Sequence, residues 1–190
     1  MNINGIFAVV EGALYAVQFD DNQADEFKQL FDNWQDPEFL EQFFEDNKDD
    51  LQRSIYKHFS VEQAVIRTID ESTKFERKIL AAAKQTNPYA AFTLENAIFH
   101  PLHKDVLSND HIESKAYGTR NRSWLRIYAI RISQNIYFVS GGGIKLTKSN
   151  SDSEHLKTEM VKLKKVKEYL KKNFIGDEGD LGYIELLNND

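Results

Sequence analysis

The chain has 190 residues, 41% of them hydrophobic, which suffices for one sizeable core and makes one domain the expectation. It contains no cysteine, so disulfide and thiolate chemistry are excluded and a cytoplasmic location fits. The net charge of −6 conceals an asymmetry: residues 100–175 carry 15 Lys and Arg against 7 Asp and Glu, net +8, while the remainder is net −14. A lysine-coated surface helix accounts for much of this excess, and the rest permits a local basic field on an acidic protein.

No stretch reaches the eighteen or so consecutive apolar residues of a membrane span. The opening run MNINGIFAVVEGALYAVQF lacks a basic flank and a small-residue cleavage site, and reads as strand rather than signal peptide. Within it, residues 13–19 form a strand. Helical spacing follows at Phe27, Leu30, Phe31 and Trp34. Asp36-Pro37 suits an N-cap with proline at the first helical position, opening a helix that carries Phe39, Leu40, Phe43 and Phe44. Ser60 with Gln63 resembles a capping box ahead of Val61, Val65, Thr68, Ile69, Ser72, Phe75 and Ile79, and Asn87-Pro88 closes that helix.

A short helix is expected over residues 94–99, leading into an irregular HPLHKDVL. The pattern then changes to period two in IESKAYG, SWLRIYAIRIS and NIYFVSGGGIKLT, three strands of which the last two form a hairpin. Ser153 is a candidate N-cap for a final helix with Leu156, Met160, Leu163, Val166, Leu170 and Phe174 on one face and lysines on the others. The order predicts an α+β domain over residues 1–175, an antiparallel sheet packed on one face by N-terminal helices, with a C-terminal helix. Residues 20–99 form its acidic helical part and 100–175 its basic part. Residues 176–190 read as a mobile acidic tail in which YIELL has the pattern of a short strand.

Alternation in SWLRIYAIRIS sets Trp124, Arg126 and Tyr128 on one face and Leu125, Ile127 and Ala129 on the other. By the same rule Lys145 shares a face with Tyr137 and Val139, and Lys115 shares one with Tyr117. If the apolar set faces the helices, Lys115, Tyr117, Arg126, Tyr128 and Lys145 present cations and rings on one open surface. Cations neutralise phosphate and rings stack on splayed bases, a combination suited to RNA. Exposed strand faces also carry Arg, Lys and Tyr for solvation alone. The GGGIKLT run is not a phosphate-binding loop, because Ile144 separates Gly143 from Lys145 and strand continues past it. Its glycines mark a bulge, a bend or a close backbone approach. His100, His103 and His111 have no carboxylate or cysteine at a recognised metal spacing, so no metal is expected. Histidine is better suited to proton transfer on RNA.

The order FHPLHKDVL, ESKAYG, WLRIYAIRI, IYFVSGGGIKLTK and a lysine-rich helix resembles the RelE/HigB-like toxin superfamily of bacterial toxin–antitoxin modules. The resemblance covers about 75 residues, Phe99 to Phe174. It implies a RelE-like fold and a toxin-type mRNA endoribonuclease (mRNA interferase) that needs no cofactor. The ribose 2′-OH would attack phosphate to leave a cyclic phosphate and a 5′-OH. Partners would be an antitoxin protein and mRNA, free or on the ribosome, with no membrane. The implied catalytic residues are Arg126 for the transition state, Lys115 for phosphate, Tyr128 for stacking or proton transfer, and Lys145. Tyr117, Arg120, Arg122, Trp124 and His103 are the implied RNA-binding set. Lysine at 115 stands where the family often has arginine, GGGIKLT replaces an aromatic and double-lysine ending, and the helical part before residue 99 is unusually long. A non-catalytic RNA- or protein-binding module on the same fold is the alternative.

Overall fold

The computed structural model describes residues 1–20, 22–87, 89–103 and 111–184. Six strands form one sheet: β1 (Ile3–Val10), β2 (Leu14–Phe19), β3 (Phe99–Pro101), β4 (Ile112–Tyr117), β5 (Leu125–Ser133) and β6 (Ile136–Ile144). Their order is β1-β2-β6-β5-β4-β3. Helices α1 (Glu26–Gln35), α2 (Pro37–Asp46), α3 (Lys48–Arg53) and α4 (Val61–Ala83) lie between β2 and β3, and α5 (Glu154–Lys172) follows β6. The class is α+β, with the three basic-part strands antiparallel as their short links require.

The sheet as a whole is mixed rather than antiparallel. β2 pairs with β6 in parallel, Leu14 opposite Tyr137 and Ala16 opposite Val139. The long helical segment between them supplies the crossover that a parallel pair needs. The helices also cover both faces. Leu14, Ala16, Leu125, Ile127 and Ala129 pack with Phe31, Trp34, Phe44 and Phe75 of α1, α2 and α4 on one side. Tyr15, Val17, Tyr128, Ile130 and Phe138 pack with Leu163, Val166 and Leu170 of α5 on the other. The face expected to be open is therefore open only at the strand ends, because α5 has an apolar stripe of its own to bury.

The caps expected at Asp36 and Ser60 form, and Asp25 adds one not expected from the sequence. The Asp25 side chain caps α1, Asp36 caps α2 ahead of Pro37, and Ser60 and Gln63 close a reciprocal capping box on α4. Ser153 sits at the N-cap position of α5, but its hydroxyl bonds the His155 ring at 2.7 Å instead of a helix amide. Residues 94–98 make a π-type turn capped by Thr93. The tail is not a strand where it is described: Glu178–Tyr183 is a 3-10 turn, and Ile184 is buried against the α5 side of the core. HPLHKDVL is not irregular throughout: His100 and Pro101 belong to β3, paired with β4, while its residues 104–107 and the rest of YIELL lie outside the described residues. Among the described residues no helix is long and apolar enough to cross a membrane.

The glycine run ends β6 at an irregularity in its pairing. Tyr128 pairs with Gly141 and Ala129 with Val139, so Ser140 is an extra residue in the strand. Its hydroxyl donates to the Tyr128 carbonyl at 3.2 Å. An inserted residue reverses the facing of everything after it. Tyr137 and Val139 face the α1–α4 side before the bulge; Ile144 and Leu146 face it afterwards. Lys145 is thereby turned away from the face of Tyr137 and Val139, with which simple alternation had grouped it, and onto the face of Arg126.

Candidate functional site

Strands β4, β5 and β6 end beside one another, and the bulge turns Lys145 to the same side as Arg126. In the register of β4 with β5, Lys115 lies opposite Tyr128 and Tyr117 opposite Arg126. The result is a cleft of about 580 Å³ lined by His103, Lys115, Tyr117, Arg126, Tyr128 and Lys145, together with Lys148 and Asn150. No Asp or Glu lines it among the described residues.

Arg126 is half-buried at the end of β5. Its Nη1 donates to the carbonyls of Ser123 and Leu125, each at 2.7 Å, and its guanidinium carbon lies 4.4 Å from the centre of the Tyr117 ring. Burial draws its pKa down, and the surrounding tyrosines partly offset this. A guanidinium remains charged regardless. The Lys115 ammonium lies 5.6 Å from the centre of the same Tyr117 ring. Lys145 has its pKa lowered, first by burial and then by the charges of Arg126 and Lys115. Three cations are thus held together against their own repulsion, an arrangement that an anion relieves.

Asn150 positions two of the group. It accepts from Lys145 Nζ at 2.6 Å and donates to the Tyr128 hydroxyl at 3.0 Å. Burial raises the Tyr128 pKa and keeps the phenol neutral. His103 stands at the rim with most of its side chain in solvent, its Nε2 3.2 Å from Glu113 Oε2. Lys167 holds the other oxygen of Glu113 at 3.0 Å. Against the cost of burial, these two partners leave the Glu113 carboxyl below its ordinary pKa, so it stays ionised.

Six of the nine sequence-derived candidates therefore meet in one cleft: His103, Lys115, Tyr117, Arg126, Tyr128 and Lys145. Three do not. Trp124 is wholly buried, packed by Phe44, Tyr56 and Phe59, and its Nε1 donates to Thr68 at 3.1 Å. No base can stack on it. It precedes β5, so the alternation that grouped it with Arg126 does not extend to it. Arg120 is tied to α4: its side chain pairs with Asp70, and its amide donates to Glu71 at 3.0 Å. Arg122 is exposed, in a left-handed backbone conformation, and lines no part of the cleft. Within the cleft, Tyr128 offers only its hydroxyl, since its side chain is 1% exposed, and the stacking role expected of it is lost.

Sequence reasoning missed Asn150, Lys148 and Glu113. Alternation along β4 puts Glu113 on the face of Lys115 and would have found it; Asn150 sits in the polar run KSNSDS, which carries no such signal. His100, His103 and His111 make separate contacts, and among the described residues no group of His, Asp and Glu has the arrangement to hold a metal ion. Comparison with protein-family models, curated proteins and solved structures finds no match to this chain.

Proposed function

We propose that the cleft binds the phosphate of an RNA strand and cleaves it by attack of the neighbouring 2′-OH, as a RelE/HigB-like mRNA interferase controlled by an antitoxin. The observation that carries this reading is the convergence of Lys115, Arg126 and Lys145 beside an exposed aromatic ring, Tyr117, in a cleft whose described lining has no acid. The cations hold the phosphate and take up the charge that grows on its oxygens in the transition state. Tyr117, 40% exposed, is the platform for a flanking base.

In the reaction the 2′-oxygen forms a bond to phosphorus and the bond from phosphorus to the 5′-oxygen breaks. One group takes the 2′-OH proton and another protonates the leaving oxygen. His103, oriented by Glu113, is assigned the first role. Lys145 is assigned the second: an ammonium destabilised by burial and by neighbouring cations gives up its proton more readily than an exposed one. Tyr128 and Asn150 position Lys145.

One observation favours a binding module without catalysis: Arg126 already spends Nη1 on two backbone carbonyls. A single assay separates the readings. End-labelled RNA, free and on ribosomes, is incubated with the protein in excess chelator, alongside RNA with 2′-deoxy substitutions. Cleavage to 2′,3′-cyclic phosphate ends, absent at deoxy sites and reduced about 10²–10³-fold by Arg126→Ala, supports the enzyme. Retention of RNA without any cleaved product supports the binding module, and neither retention nor cleavage removes both.

A further inference from the structure

The cleft does not end at Arg126. Arg126, Lys145 and Lys148 also form one wall of a second cleft, of about 700 Å³, whose other wall comes from the end of α3 and the turn after it. There Arg53, Ile55, Tyr56 and Lys57 face the basic strand ends across the opening. Arg53 and Lys57 are exposed; Arg53 pairs with Asp49 at 3.4 Å, in a pair so open that it binds weakly. Asp50 and Asp152 are the acids lining this cleft, against five cations. Asp152 is in addition occupied by the Ser149 amide, at 3.0 Å. The long helical part is acidic overall, yet where it reaches the strand ends it contributes two cations and, in Ile55, an apolar side chain 58% exposed.

We propose that Arg53 and Lys57 form a second phosphate subsite continuous with the first, so that the ligand is a single-stranded polynucleotide lying across both clefts rather than one nucleotide. The inference rests on the RNA reading of the first cleft. Each cleft alone has the volume of a site for one small ligand, and the two share three cations. Tyr117 in one and Ile55 in the other offer surfaces to unpaired bases, which a duplex keeps stacked inside. The helical part before residue 99 then supplies half of the binding groove.

The test measures binding of a dinucleotide and of an unstructured oligoribonucleotide of about eight nucleotides, a length within the range of known single-strand sites. The protein is the full chain, made cleavage-silent by 2′-deoxy substitution of the RNA. Arg53→Gln with Lys57→Gln is expected to weaken the longer strand about tenfold and to leave the dinucleotide within about twofold of the wild type. It is also expected to lower the salt slope of the longer strand by about 1.4, the value for two phosphate contacts. Asp50→Asn, which removes an acid from the second cleft, is expected to tighten the longer strand. Equal losses at both lengths overturn the proposal, since they report general attraction. No loss in the double variant, while Arg126→Ala abolishes binding, overturns the second subsite and leaves the RNA reading standing. Failure of the wild type to bind either length removes both. Tighter binding of an acidic peptide than of the oligonucleotide, lost in the same variants, assigns the groove to a protein and overturns the proposal.

Discussion

Replacing Gly141 by alanine tests why the glycine run exists. Gly141 has φ +146°, which side chains rarely adopt, and a Cβ there would lie 1.9 Å from Glu159 Oε2. An ordinary contact requires the carboxylate to retreat by about 1.5 Å. The carboxylate has little freedom to do so. Glu159 is buried and its Oε1 is 3.0 Å from Lys162, which also holds the buried Glu26 at 2.9 Å. Losing the Glu159–Lys162 bond costs roughly 1.5–3 kcal/mol, and the backbone strain about 1–2 kcal/mol more. Gly141→Ala should therefore destabilise the protein by about 3–5 kcal/mol. In a Glu159→Ala background the backbone cost remains with a lesser crowding of Glu26 Oε2, 3.1 Å from the new Cβ, so a double-mutant cycle should yield a coupling of roughly 2 kcal/mol. Urea unfolding of the four proteins at pH 8, followed by far-UV circular dichroism, measures it. A Gly141→Ala loss below about 1 kcal/mol, or the same loss in both backgrounds, refutes the reasoning that Gly141 makes room for the α5 carboxylate.

The same carboxyl gives a pH dependence with a definite sign. Burial, opposed by Lys162, pushes the Glu159 pKa up to about 7 from an ordinary 4.5. Between those values the folded chain keeps a proton that the unfolded chain has lost, so stability falls as pH rises through the window and levels off above it. Glu26, also raised by burial, adds in the same direction. Unfolding free energy should drop by about 2–3 kcal/mol between pH 4.5 and 7, with Glu159→Gln at least halving the drop; an unchanged slope in the variant counts against the assignment. Trp124→Phe should cost about 1–3 kcal/mol through the lost Thr68 bond and packing. Because Trp34 and Trp124 are both buried away from the cleft, saturating RNA should leave the wild-type tryptophan emission maximum unmoved, and a shift would return Trp124 to the binding surface.

Much of this protein was legible in the chain because the responsible forces are short-range. Capping at Asp36 and Ser60 depends on side chains within three residues of the amides they satisfy. Period-two runs over β4, β5 and β6 mark strands before any partner is known, and their short links make them antiparallel. Alternation alone placed Lys115 with Tyr117, and Arg126 with Tyr128, on shared faces, and the cleft contains all four.

Tertiary structure decided the rest. No local signal tells β2 to run parallel to β6, since that pairing is set by where the helical crossover returns the chain. The α5 stripe buries Tyr128, which a free strand would expose. Trp124 lies one residue outside β5, where alternation no longer governs its direction, and the large apolar ring joins the helical core. GGG suggested a bend without revealing its consequence. Only the pairing with β5 identifies Ser140 as the inserted residue, and only the approach of α5 shows why glycine follows it. One extra residue in a strand reverses every side chain beyond it, and that reversal is what turns Lys145 toward Arg126.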